Sequence, residues 1–292
     1  MKSLIIGGTG TLGQELTRQL LQEVDNEVVI LSRCELKQRQ MYEAFNRDVR
    51  IKFVLGDIRD KTTLTRAIFG RGFDVIFHVA ALKHVDVLEE NPEESVATNV
   101  LGTINVADVA IEAQVPHVVF SSTDKAVDPI NAYGMSKGLS EKILYRRNEI
   151  QTSTKFCVFR WGNVIGSRGS AIHFFAKTLK ETNTVFLTDS RMTRFWIKIE
   201  EAVRFMLDNY KTAPLAAAAI PEMRSAPIYT LACAVAQHVG AKDMNIVNIG
   251  FRRGEKMHEQ IISAHSEQPL SSEVGRWLDV DQMKQLVAEV LG

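Results

Sequence analysis

Short apolar runs alternate with amphipathic stretches through the first two-thirds of the chain. Met1 to Ile6 reads as a strand, followed by a glycine-rich turn and an amphipathic helix through Leu16, Leu20 and Leu21. Glu27 to Leu31, Arg50 to Leu55, Phe73 to Phe77 and His117 to Ser121 read as strands two to five, each followed by a helical stretch. That alternation predicts an α/β fold, a Rossmann-type doubly wound parallel sheet with helices on both faces. Past residue 160 the pattern loosens into loops, with one more apolar strand at Asn245 to Ile249 and an amphipathic segment over 271–292. That last segment is free to pack on the core or on a neighbour.

The first turn, Gly7-Gly8-Thr9-Gly10-Thr11-Leu12-Gly13, has dinucleotide-loop spacing. Gly7 allows the turn, Gly10 lets the backbone approach a pyrophosphate, and Gly13 lets the helix pack on the strand. The helix N-terminus favours phosphate charge. The alternative is a glycine-rich loop without a ligand, but a strand before it and a helix after it are the context that binding requires. Strand two ends in Ser32-Arg33, where an NAD enzyme usually carries an acid. Arg33, the Ser32 hydroxyl and Lys37 suit a ribose 2′-phosphate and predict NADP. Glu35 keeps NAD open, and Arg33 also reads as a solvated charge. Asp57, followed by Ile58, would either reach an adenine amino group or cap a helix. Ala80 and Ala81 put small residues where the backbone passes the cofactor. Lys83 reads equally as a ligand of sugar or pyrophosphate and as a salt-bridged surface residue. Asn99 would orient the cofactor loop or, the favoured reading, stay buried against backbone. The expected organisation is an NADP-binding core over 1–160 and a smaller lobe over 161–292, mostly substrate-binding, with segments returning to the core.

Composition narrows the classes. With 292 residues, 45% hydrophobic and 24% charged, the chain can bury a large core. Thirty-five basic residues balance thirty-five acidic ones, so nothing favours nucleic acid or an anionic membrane surface. Three cysteines, Cys34, Cys157 and Cys233, lack disulfide or metal spacing, and the seven histidines show no ligand pattern. No metal site is expected. Leu4-Ile5-Ile6 is too short for a signal peptide, and the apolar run between Pro214 and Pro221 is too short for a bilayer span. A cytoplasmic location is expected.

The chemistry concentrates after strand five, in Thr123-Asp124-Lys125 and Tyr133-Gly134-Met135-Ser136-Lys137. A Tyr and a Lys four apart share a helix face, where the ammonium would lower the phenol's pKa and make it a base. Asp124 and Lys125 could be an exposed pair on a turn. The C-terminal end of a parallel strand, however, is where open α/β sheets bind ligands. Downstream, Arg160 to Ser170 is rich in glycine and donors, and Arg191 to Trp196 sets two arginines beside aromatics. Both suit a nucleotide diphosphate with a base to stack, or hydrogen-bonded loops capping the core. Arg252-Arg253-Gly254-Glu255-Lys256 would hold an anion or face solvent.

These segments resemble the extended short-chain dehydrogenases/reductases, and within them the soluble, inverting UDP-N-acetylglucosamine 4,6-dehydratases. The likeness rests on the glycine loop, Ser32 to Lys37, Ala80 to Val85, Ser122 to Val127, Tyr133 to Lys137, Gly162 to Ser170, Arg191 to Ile197 and Arg253 to Glu259. The Thr-Asp-Lys and Met-Thr-Arg-Phe-Trp segments are the specific ones. Tyr133 stands where related membrane-anchored, retaining dehydratases often carry Met. The alanine-rich segment over 215–219 falls where similar enzymes carry a Gly-Glu-containing strand, which predicts a reshaped small lobe.

The resemblance implies that Thr123, Asp124, Lys125, Tyr133 and Lys137 are catalytic. Tyr133, helped by Lys137 and Thr123, would take the 4-hydroxyl proton, Lys125 the C5 proton, and Asp124 would protonate the leaving 6-hydroxyl. Gly7, Thr9, Gly10, Thr11, Leu12, Gly13, Ser32, Arg33, Lys37, Asp57, Ile58, Ala80, Ala81, Lys83, Asn99, Tyr133 and Lys137 would hold the cofactor. Lys83, His84, Asn163, Arg168, Thr193, Arg194, Arg253 and Glu255 would hold the UDP-sugar. A homo-oligomer formed through helices flanking the sheet is implied. A 4-epimerase, a 5,6-dehydratase and an NADP-sensing binding protein are the alternatives. An epimerase has no use for an Asp-Lys pair, and a sensor could dispense with the Tyr and Lys.

Overall fold

The computed structural model describes residues 1–167 and 169–292. Strands β1 (Lys2–Ile6), β2 (Glu27–Ser32), β3 (Ile51–Leu55), β4 (Val75–His78), β5 (His117–Thr123) and β6 (Lys155–Trp161) form a parallel sheet ordered β3-β2-β1-β4-β5-β6. Between them run α1 (Thr11–Leu20), α2 (Glu35–Ala44), α3 (Lys61–Ile68), α4 (Val85–Glu90), α5 (Pro92–Ser95), α6 (Gly102–Glu112) and α7 (Ala132–Ile150). The strand order reverses between β1 and β4, and the crevice at their carboxyl ends is where such sheets take ligands.

The apolar periodicity explains the layers. Leu4 and Ile6 belong to one buried cluster with Phe120, Leu144 and Phe156, while Ile5 belongs to the other with Leu16, Phe77 and Phe159. Successive strand side chains point to opposite faces, and helices cover both faces, so β1 reads as continuously apolar. Ile5 pairs with Ile30 on one side and Phe77 on the other.

Beyond β6 the chain adds β7 (Asn163–Ile165), α8 (Ala171–Thr182), β8 (Thr184–Leu187), β9 (Thr193–Lys198), α9 (Ile199–Asn209), β10 (Arg224–Pro227), α10 (Ile228–Val239), β11 (Asn245–Asn248), β12 (Gln260–Ile262), β13 (Leu270–Ser271) and α11 (Val280–Leu291). A third cluster, with Phe175, Leu187, Trp196, Leu231, Val235, Met283 and Val287, fills this lobe. Within the lobe, α9 returns to the sheet: its Val203 and Met206 join the cluster of Ile5 and Phe77. The terminal segment is helical only over α11, closed by an Asp279–Gln282 capping box, and packs inside its own lobe.

Several boundaries differ from the sequence reading. Gly72 at φ +63° turns the chain, so β4 starts at Val75 and not at Phe73. Strand β5 continues past the apolar run to Thr123, because Ser121, Ser122 and Thr123 pair with Phe159, Arg160 and Trp161. The alanine-rich segment bridges the edge of β6: the Ala219 amide donates to the Val158 carbonyl and the Arg160 amide to the Ala219 carbonyl. Val96–Leu101 is a π-helical turn leading into α6. Asp60, not Asp57, caps α3, accepting from the Thr62 amide at 2.9 Å. No helix among the described residues is long and apolar enough to cross a membrane.

Candidate active site

The crevice at the carboxyl ends of β1, β4 and β5 encloses a cavity of about 680 Å³. Gly7 adopts φ +86°, and a Cβ there would lie 2.7 Å from the Ala80 backbone, so only glycine lets the first turn and the β4 loop meet. Helix α1 starts at Gly10 with no side-chain cap and no acid in its first turn, so its N-terminus meets the cavity with its positive end uncompensated. Gly7, Thr9, Gly10, Thr11, Leu12, Gly13, Ser32, Arg33, Lys37, Ile58, Ala80, Ala81, Lys83, Tyr133 and Lys137 line the cavity. A shallower depression between α1 and α9 holds none of the candidate residues.

Two expected cofactor residues stand behind that lining. Asp57 is held by Arg59 at 2.8 Å, by the Arg59 amide at 2.9 Å and by Arg33 at 3.5 Å. Asn99, on the π-helical turn, accepts from the Leu82 amide and donates to the Leu82 carbonyl, both at 2.9 Å. Asn99 is buried against backbone, and the backbone it holds is the cavity-lining loop after β4.

Strand β5 delivers Thr123 and the short 3₁₀ turn Asp124–Ala126 to the cavity, and α7 delivers Tyr133 and Lys137. Gly134 makes this possible, since a Cβ there would overlap the Lys125 carbonyl oxygen. Asn131 caps α7, accepting from the Gly134 amide at 2.7 Å. The Thr123 side chain bears on the Tyr133 phenol, and the Thr123 hydroxyl donates to Asp124 Oδ1 at 3.0 Å. Lys125 Nζ reaches Asp124 Oδ1 at 3.0 Å, Glu259 Oε1 at 3.2 Å and Asn163 Oδ1 at 3.4 Å. A chain of contacts therefore runs from the Tyr133 phenol to Glu259.

Burial governs protonation here. It pushes Asp124 toward its acid form; Lys125 opposes this and Glu259 reinforces it. Burial would neutralise Lys125, but the charges of Asp124 and Glu259 outweigh it and hold the ammonium. Burial pushes Tyr133 up to about 12, with Lys125 and Thr123 pulling the other way. Lys137 follows Tyr133 by one turn of α7 and lines the cavity with it. Burial lowers Lys137 to about 7, its Nζ donates to the Ser121 carbonyl, and it lies 3.7 Å from the Phe120 ring centre. The cation that bears on Tyr133 is Lys125.

Lys83, His84 and Asn163 line the cavity. Four other expected sugar-nucleotide residues do not. The Thr193 hydroxyl bonds His258 Nδ1 at 2.8 Å and Ser272 Oγ at 2.7 Å, joining β9 to the segments flanking β12 and β13. Arg194 turns inward, donating to the Thr193 and Met257 carbonyls and lying 3.9 Å from Glu259. Arg253 is exposed and pairs with Glu89 at 3.2 Å, and Glu255 accepts from the Arg252 amide. Arg168 lies outside the described residues. Sequence reasoning left Glu259 without a role. Its motif, Arg253 to Glu259, was visible, but no local spacing connects it to Lys125.

Residues 3–278 match a family model described as polysaccharide biosynthesis protein. The chain is 42% identical over 265 residues to the UDP-N-acetylglucosamine 4,6-dehydratase (inverting) of Campylobacter jejuni, covering 89% of this chain and 77% of that one. It is 38% identical over 267 residues to a UDP-glucose 4-epimerase of Rickettsia felis, with the same 89% and 77% coverage. The solved structure of Pen from Bacillus thuringiensis matches with a TM-score of 0.92 and 30% identity, covering 99% of this chain and 97% of that one.

Proposed function

This chain belongs to the polysaccharide biosynthesis protein family, and on that premise we propose that it is a nucleotide-sugar dehydratase. It removes water across C5 and C6 of UDP-N-acetylglucosamine by transient oxidation at C4, with inversion at C5. The observation that carries this reading is the buried Asp124–Lys125 pair at 3.0 Å, joined through Thr123 to Tyr133 on the cavity wall.

We take NADP to be its cofactor. Ser32 at the end of β2, with Arg33 and Lys37 beyond it, lines the cavity, and Glu35 does not. The uncapped N-terminus of α1 and the Gly7–Ala80 approach suit the pyrophosphate. Bound there, NADP would accept hydride from C4 and return it to C6, ending each turnover unchanged.

Tyr133 accepts the 4-hydroxyl proton as its phenolate, the form that the Lys125 ammonium and the Thr123 side chain favour against burial. A ketone at C4 acidifies C5–H. Lys125 removes that proton once its ammonium has given a proton to the adjacent Asp124 carboxylate, and Asp124, now an acid, protonates the departing 6-hydroxyl. One proton moving across 3.0 Å thus creates both the base and the acid. Reprotonation of C5 from the opposite face inverts that centre. Lys83, His84 and Asn163 are the candidates to hold the sugar nucleotide.

A 4-epimerase is the second reading, favoured by the Rickettsia felis relative. It needs Tyr133 and Lys137 but leaves the buried Asp124–Lys125 pair unused. Proton NMR of UDP-N-acetylglucosamine with the protein in deuterated water separates the two. A new C6 methyl with deuterium at C5 supports the dehydratase. Change confined to C4 supports the epimerase, and an unchanged spectrum with NADP bound sinks the proposed substrate.

A further inference from the structure

We propose that Glu259, delivered by the C-terminal lobe, is the positioning residue of Lys125, acting on the reaction through the Asp124–Lys125 pair. This inference rests on the dehydratase reading for its kinetic consequence alone.

The geometry is specific. Lys125 Nζ has three protons and three oxygen neighbours, on Asp124, Glu259 and Asn163. Those neighbours come from the 3₁₀ turn, the segment entering β12 and the start of β7, so Lys125 is fixed from three parts of the chain. Glu259 is itself locked: its amide donates to Ser272 Oγ at 2.9 Å and its side chain is 3% exposed. Glu259 Oε2 and Asp124 Oδ2 are both buried without a hydrogen-bond partner among the described residues. An unpartnered carboxylate oxygen in the interior is costly, and positive charge beside it offsets that cost.

The charges around the cluster decide which way each group leans. Facing Glu259 are Lys125, Arg194 of β9 and Lys256 on its own segment, which hold it ionised against burial. Facing Asp124 are Lys125, Glu259 and the Thr123 hydroxyl, with Arg160 of β6 further back and paired to Glu141. Facing Lys125 are Asp124, Glu259 and Arg194, and Tyr133 senses both Lys125 and Asp124. Asp128 bears on Lys256. With Glu259 ionised, its negative charge favours a proton on Asp124, the one that Lys125 delivers. Removing the charge of Glu259 leaves the ammonium with Asp124 alone, and Asp124 then prefers its carboxylate.

The test is Glu259→Gln, with Glu259→Asp as the charge-retaining variant. Asp124 acts as an acid, so activity is lost as pH rises through its pKa. Glu259→Gln removes a negative neighbour and lowers that pKa, moving the alkaline limb of kcat down by about one pH unit. The value of kcat falls about tenfold or more and KM changes much less, while Glu259→Asp lies between. A substrate-independent readout follows Lys125 acetylation by acetic anhydride against pH, resolved by peptide mass spectrometry. Only the neutral amine reacts, so Glu259→Gln should acetylate at lower pH than the wild type. Unshifted acetylation and an unshifted limb in a folded Glu259→Gln overturn the inference. If Glu259→Gln does not fold, the same two curves on Glu259→Asp decide, and wild-type curves there overturn it equally. Shifted acetylation in a protein that forms no 6-deoxy sugar would retain the role of Glu259 and reject the dehydratase reading.

Discussion

Asn99 grips Leu82 by both backbone polar groups, and its amide nitrogen also donates to Ser136 Oγ on α7 at 3.0 Å. One side chain thus ties the loop after β4 to the helix that carries Tyr133. Its π-helical setting is a rare geometry that recurs at functional sites. Asn99→Ala leaves the Leu82 amide and carbonyl unsatisfied, a loss of about 2–3 kcal/mol. We expect a lower melting temperature together with weaker NADP binding, measured by calorimetry. Unchanged NADP affinity would separate the loop from the cofactor.

Gly134 lets α7 press on the Asp124–Ala126 turn, where a Cβ would overlap the Lys125 carbonyl. Gly134→Ala forces that turn to shift. We expect destabilisation of about 1–3 kcal/mol in urea and a larger loss of turnover than of substrate affinity. A destabilised variant that keeps wild-type kcat would argue that turn position is unimportant.

Asp124→Asn keeps the shape of the buried pair and removes its acid. Oxidation at C4 should still occur, so the absorbance of reduced nicotinamide should appear on adding substrate while the C6 methyl signal is lost. Turnover should drop by about 10²–10⁴-fold. Full dehydration by this variant would remove Asp124 from the reaction.

Arg33 is half exposed at the rim of the cavity, near Asp57. Arg33→Ala should weaken NADP binding about tenfold or more through the lost charged hydrogen bond, and leave NAD binding nearly unchanged. Parallel titrations with both nucleotides check this, and equal losses would point to a contact with the shared part of the dinucleotide.

His78 is fully buried against Thr103 Oγ1 at 3.0 Å, and burial lowers its pKa from 6.5 to about 3, with Lys137 adding to the effect. A depressed folded pKa means the unfolded chain binds the proton first. Stability is therefore intact above about pH 6.5 and falls toward pH 3, by about 1.4 kcal/mol per pH unit within that window. His78→Gln should flatten this part of the profile in urea titrations, and an unchanged slope would assign the acid sensitivity elsewhere.

Much of the fold was legible. Strands β1, β2, β4 and β5 were readable because burial on both faces leaves an apolar run that local composition shows. The glycine loop, Thr123-Asp124-Lys125 and Tyr133–Lys137 were readable because each obeys a short-range spacing set by a turn or a helix. Arg194, Arg253, Thr193 and Glu255 stand off this cavity wall, which sequence does not reveal because a charged or hydroxyl side chain looks the same whether it faces a ligand or another part of the protein. Here backbone carbonyls, Glu89, His258 and the Arg252 amide take them.

Sequence alone determined the order of strands and helices through β5, the glycine turn and the candidate reacting side chains, because these follow from periodicity and from spacings of a few residues. Only the tertiary structure decided how those side chains are charged. Protonation follows from burial and from charges within a few ångströms, and the group that completes the site, Glu259, arrives from another lobe. That same packing set Lys137 against Ser121 and Phe120 and placed Lys125 where its charge lowers Tyr133.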